Sequence, residues 1–180
     1  MFSIRNNVFE TNSSSSHSIV MTKANTATQN KIDPGWKIQD GILNFKYWSD
    51  GLEFGRSPFD ILADWFGRLR YAIASYGKDH VDDIREICQK HIIGFKDFNF
   101  PVIEYSDDEK EINYGYVDHQ SSGLLQHFLD KNNISLEDFI FNDKFMVVVD
   151  GDEYHVFNRM MEANIINKDF IKKKVGIYND

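Results

Sequence analysis

Cysteine is almost absent from this chain. The single thiol, Cys88, excludes an intramolecular disulfide and a cysteine-rich zinc site. Long apolar runs are missing as well: none approaches the ~18 residues that a membrane-spanning helix needs. The opening residues, MFSIRNNVFETNSSSSHSIV, carry no apolar h-region, so a cytoplasmic location is the expectation. Positive charge is scarce. Twenty Lys and Arg stand against 28 Asp and Glu, a formal charge of −8, which argues against a general nucleic-acid coat. No internal repeat is visible. What the chain does have is the material for a core: 42% of its 180 residues are hydrophobic and 14% aromatic, which suits one domain and excludes disorder along the whole length.

The pattern divides residues 1–180, read as one domain, into four stretches. Residues 1–35 are polar, with Ser18 to Met21 as a short strand and Asp33-Pro34-Gly35 as a turn. Residues 36–54 read as a three-strand antiparallel meander with turns at Asp40-Gly41 and Asp50-Gly51, because Asp-Gly suits hairpin loops whose positions need φ > 0. Leu43, Phe45 and Tyr47 alternate onto one face of it.

Residues 57–92 read as a helical pair. Ser57-Pro58 supplies a start signal, Gly77 a stop, and Asp79 a second cap. Leu62, Trp65, Phe66, Leu69, Ala72, Ile73 and Tyr76 follow helical spacing, as do Val81, Ile84, Ile87, Cys88 and His91. Core packing accounts for these side chains, including Cys88 as a small buried residue and His91 as a satisfied core histidine.

Residues 101–180 mix both element types. Strands are expected over 102–105 and 114–117 around the acidic turn 107–111, and helices from about Ser122 or Gly123 and from Ser135. A hairpin follows with arms 145–149 and 153–157; its first arm is apolar on both faces, as in an inner strand. A short helix and a last strand are expected over 165–180. Hairpins and helices without a βαβ rhythm give an α+β fold, a mainly antiparallel sheet with helices packed on it.

Two segments carry the residue types that chemistry needs. Thr11-Asn12-Ser13-Ser14-Ser15-Ser16-His17-Ser18 is dense in hydroxyls and holds one histidine. In an extended chain Ser13, Ser15 and His17 share a face, as a nucleophile and a base must. Its hydroxyls and backbone N–H groups also suit an anion such as phosphate. It holds no glycine, so it is not a P-loop, and no Lys or Arg lies between Arg5 and Lys23. A plain polar loop is the competing reading.

The second segment, Asp118-His119-Gln120-Ser121, lies where a strand runs out and a helix begins, a place suited to ligand contact. A helix cap with a hydrogen-bonded histidine is the competing reading there. Together the segments offer His17 and His119 as acid and base with Asp118 as orienting carboxylate, and Thr11, Asn12, Ser13, Ser15, Gln120 and Ser121 as ligand-binding groups. The same histidines with Asp118 have the right donors for a metal, and the wide separation of the two segments along the chain gives geometric support to neither chemistry. Whether a cofactor takes part is not legible in the sequence.

The string Asn7 to Ser18 resembles the N-terminus of a group of uncharacterised bacteriophage and prophage proteins, which begin Asn-Val-Phe-Glu-Thr-Asn-Ser-Ser-Ser-x-His-Ser. Members also carry an Asp-His-Gln-Ser string, here Asp118 to Ser121. Their middle part is similar to residues 53–74, although Arg56 stands where they tend to have tryptophan, and Arg68-Leu69-Arg70-Tyr71 matches their Lys-Leu-x-Tyr helix loosely. The resemblance implies a phage-type protein in the host cytoplasm and marks motif positions. It implies no particular reaction.

Two functions are therefore expected. In the first, a Ser-rich and histidine-lined pocket binds or modifies a phosphate-bearing or amide small molecule, nucleotide-like in class. In the second, the protein is a non-catalytic inhibitor or adaptor that binds a host defence or transcription protein through an acidic surface. Five of its acids fall between Glu104 and Glu111. The sequence alone does not decide whether the chain is an enzyme.

Overall fold

The computed structural model describes residues 16–21, 31–45, 51–54, 60–106, 110–118 and 123–150. The expected arm 153–157 and the elements expected over 165–180 lie outside them. In chain order the elements are β1 (Ser16–Met21), β2 (Ile38–Gln39), β3 (Ile42–Asn44), β4 (Glu53–Phe54) and β5 (Asp60–Leu62), then the helix α1 (Trp65–His91). After it come β6 (Asp97–Asn99), β7 (Val102–Glu104), β8 (Lys110–Ile112), β9 (Tyr116–Val117), α2 (Leu124–Asn132), α3 (Leu136–Phe141) and β10 (Phe145–Asp150).

β10 is the middle strand of the largest sheet, flanked antiparallel by β1 and β5. Its residues 145–149 are all buried, as its apolar sequence on both faces predicts. The register sets Ile19 beside Val147 and Val147 beside Leu62, one apolar row across three strands. α1 packs on this sheet and on α3. Leu69, Ala72, Ile73, Ile84 and Cys88 of α1 have no exposed surface, and each large aliphatic among them contributes about 1.5–3 kcal/mol by leaving water. Helices on mostly antiparallel sheets make this an α+β fold.

Smaller sheets surround this core. β2 and β3 form the expected hairpin, with positive φ at Asp40 and Gly41. The expected third strand of the meander does not join them: β4 pairs in parallel with β9, while β3 pairs in parallel with β6. β7 pairs with β8 rather than with residues 114–117, and Lys110 reaches across the ribbon to Glu104 at 2.6 Å.

The helical region also departs from expectation. Residues 60–62 are strand, and the helix starts at Trp65, where the Asp64 carboxylate accepts the Gly67 N–H at 2.6 Å. Gly77 does not stop it. A Cβ there would lie 2.7 Å from the Tyr114 Cβ, so this glycine lets the 113–115 connection approach the helix. The expected break survives as a kink at His80, with φ −130° and ψ 17°.

Arg68 is fully buried on α1. Its Nε donates to the Ile140 carbonyl at 2.9 Å. One terminal nitrogen donates to the carbonyls of Ala63 and Phe145, the other to the Asp143 carboxylate at 3.1 Å. Burial pushes the guanidinium's pKa down and Asp143 opposes that shift. The side chain thus ties α1 to the C-terminal end of α3 and the start of β10.

A second clasp joins α1 to α3. Lys90 Nζ donates to both Glu137 oxygens at 2.8 and 3.0 Å, and His91 Nε2 lies 2.7 Å from one of them. His91 stacks on Phe141 and is a satisfied core histidine. Hydrogen bonds from Lys90 and then His91 hold the Glu137 carboxyl below its ordinary 4.5. A carboxyl depressed on folding adds stability that is present above its unfolded pKa and lost as pH falls through the folded one. Glu137→Gln should therefore lower the urea midpoint at pH 7, and its deficit against the parent chain should shrink progressively below pH 4.5. A deficit that stays constant into acid would contradict the clasp.

Candidate functional site

Strand alternation turns His17, Ile19 and Met21 of β1 toward one face of the sheet. Ile19 and Met21 pack on the core, and His17 is 8% exposed. Its Nδ1 lies 3.2 Å from the Tyr71 hydroxyl, and the two rings meet edge-on at 5.7 Å. In the Nε2–H tautomer of the imidazole, the hydroxyl donates to Nδ1; in the other tautomer Nδ1–H donates to the hydroxyl oxygen. Burial pushes the Tyr71 pKa up, so the phenol stays protonated at neutral pH. The pair couples the histidine of the Ser-rich string to the second turn of α1.

Tyr71 in turn meets the Phe54 ring edge-on at 5.1 Å. Phe54 belongs to β4, and its carbonyl accepts the Asp118 N–H at 2.9 Å just past the end of β9. The parallel pairing of β4 with β9 therefore fixes where the Asp118 segment leaves the sheet. Gly115 makes that pairing possible. It sits at φ +79°, and a Cβ on it would lie 2.1 Å from the Leu52 carbonyl oxygen. That same oxygen accepts the Tyr116 N–H at 3.1 Å.

A chain of contacts runs from His17 to Tyr71, from Tyr71 to the Phe54 ring, and from the Phe54 carbonyl to the backbone N–H of Asp118. Thr11, Asn12, Ser13, Ser15, His119, Gln120 and Ser121 lie outside the described residues. α2 does begin where expected, with Gly123 as its N-cap residue. The residues that sequence reasoning did not assign to the site are Tyr71 and Phe54. Both are aromatic residues within 53–74, and no local signal sets them apart from core side chains.

Other places hold less. Cys88 is buried and its thiol is pushed up by desolvation, which leaves it inert. A wide-open groove of about 480 Å³ beside β3 and β6 is lined by polar groups, among them Asn44, Asn99 and Asp97. These groups already engage each other or the fold: Asn99 donates to Asn44 at 2.9 Å, and Arg85 donates to Asp97 at 2.6 Å. Among the described residues no group of three His, Cys, Asp or Glu side chains is placed to hold a metal ion, and no helix is long and apolar enough to cross a membrane.

No protein-family model, no curated protein and no solved structure matches the chain.

Proposed function

We propose that this is a small phage-type protein of the host cytoplasm that binds a phosphate-bearing or amide small molecule, nucleotide-like in class. The pocket is bounded by the Ser-rich lead into β1 and by Asp118-His119-Gln120-Ser121. One observation supports this above all: the contact chain His17–Tyr71–Phe54–Asp118 joins the two polar strings. It passes through the middle patch that shares their resemblance to phage proteins. In this reading the hydroxyls of Thr11, Ser13, Ser15 and Ser121 and the amides of Asn12 and Gln120 bind the ligand's oxygens. His119, oriented by Asp118, exchanges a proton with it, and His17, held by Tyr71, is its counterpart on the other wall.

Thermal melting with a panel of nucleoside mono- and triphosphates tests this. A ligand at ~100 times its Kd adds about 2.7 kcal/mol to the folded state. In a chain of this size that raises Tm by about 5–10 °C. The rise should vanish in His119→Ala and Asn12→Ala. If the panel leaves Tm unchanged, or if both variants respond as the parent chain does, the reading fails.

A second reading draws on the β7–β8 ribbon. Val102 and Ile112 are cross-strand partners and both exposed, beside Glu104 and Glu111. Such a surface suits an adaptor that captures a basic host protein. The same variants separate the two: His119→Ala removes ligand stabilisation in the first reading and leaves host-protein capture intact in the second.

A further inference from the structure

The start of α1 sets two aromatic rings at a corner. Trp65 and Phe66 lie with centroids 5.6 Å apart and planes 69° apart. Core rings back both walls: Phe45 lies parallel to Phe66 at 6.2 Å, and Phe141 stacks on Trp65 at 6.3 Å. The 3-10 turn Gly35–Lys37 brings up a third ring, Trp36, which is 84% exposed. Into this corner the chain inserts its own cation. Lys37 Nζ lies 5.4 Å from the Trp36 ring centre, 5.7 Å from Trp65 and 5.2 Å from Phe66, and the Arg70 guanidinium carbon also lies 5.4 Å from the Phe66 ring centre.

All three Lys37 distances fall within the ~6 Å over which a ring face attracts a cation. A primary ammonium is a poor fit for such a place, because it is compact and strongly hydrated and gives up water to enter. A quaternary ammonium spreads its charge over methyl groups, holds water weakly and presents apolar surface to the rings. It also covers an exposed tryptophan, which the lysine leaves in water. The long flexible stem of Lys37 allows it to swing out.

We infer that Trp36, Trp65 and Phe66 form a cage for a trimethylammonium group, with Lys37 as an intrachain occupant that the ligand displaces. This site is separate from the pocket proposed above, and neither depends on the other. The net charge of −8 favours cationic ligands further at low salt.

The test follows the Trp36 and Trp65 indole N–H resonances during titration with tetramethylammonium chloride, with sodium chloride at matched ionic strength as control. Saturable shifts are expected with tetramethylammonium and not with sodium. Removing the competitor in Lys37→Ala should tighten binding about fivefold, and Trp36→Ala should weaken it about fivefold, the size expected of one cation–π contact. Trp36 is too exposed for its loss to unfold the chain, and the remaining amide spectrum reports that directly. Choline and a blocked trimethyl-lysine distinguish the source of the headgroup. Tighter binding of choline marks a free small molecule, and tighter binding of the amino acid marks a peptide-borne group. No saturable shift in Lys37→Ala, or equal shifts with sodium, would overturn the inference, as would undiminished binding in Trp36→Ala.

Discussion

Replacing Arg68 with methionine should cost about 4 kcal/mol of stability, a large share of the ~5–15 kcal/mol that a domain has. Methionine keeps much of the apolar stem and removes every donor. The carbonyls of Ala63, Ile140 and Phe145 then lose the partner that Arg68 gives them inside the protein. Each buried acceptor left without a donor costs about 1–3 kcal/mol, reduced where water can enter. For a chain of this size the loss corresponds to a fall in Tm of about 8–16 °C. Asp143→Asn should cost less than about 1 kcal/mol, because the Asp143 side chain is 45% exposed and its ion pair is screened by solvent. Urea denaturation of the two variants separates the carbonyl clamp from the ion pair. Equal losses in both, or a loss below about 1 kcal/mol in Arg68→Met, would contradict the clamp.

Gly115→Ala should cost about 3 kcal/mol, with a local signature. A left-handed backbone charges an L-residue roughly 1–2 kcal/mol. The added Cβ also meets the Leu52 carbonyl oxygen at 2.1 Å, and this backbone oxygen, just before β4, cannot yield without loosening its bond to Tyr116 N–H. The bond from Tyr116 N–H to that oxygen and the one from Asp118 N–H to Phe54 should fail together. Hydrogen exchange of those two amides should rise well above the change at β10. Unchanged protection at Tyr116 and Asp118 would show that β4 and β9 do not depend on this glycine.

How much of this was legible in the sequence depends on element length. β10 announced itself as an inner strand because five consecutive apolar residues leave no polar face, and Ser135 announced α3 by its capping hydroxyl, which accepts the Asp138 N–H at 3.0 Å. β4 and β9 are two residues each and too short to show a period, so their parallel pairing was invisible and the third meander strand was misplaced. Residues 60–62, expected inside the first helix, are instead claimed by the edge of the β10 sheet, and Ser57-Pro58 lies outside the described residues. Arg68 lies three residues after Trp65 and four before Ala72, on the apolar stripe of α1. That spacing was a signal for burial, masked by the charge. His17 stood out in the sequence by residue type, and the fold places it in β1 against Tyr71. Tyr71 and Phe54, which tie it to Asp118, looked like ordinary core aromatics, and only tertiary contact distinguishes them.

The central claim, that the Ser-rich string and the Asp118 string bound one ligand pocket, is tested most directly by nucleotide titration followed at the imidazole C2–H resonances of His17 and His119. The account predicts that both resonances move with the same half-saturation, and that Tyr71→Phe alters the His17 response through its lost 3.2 Å contact. Movement of neither resonance, or of one alone, would contradict it.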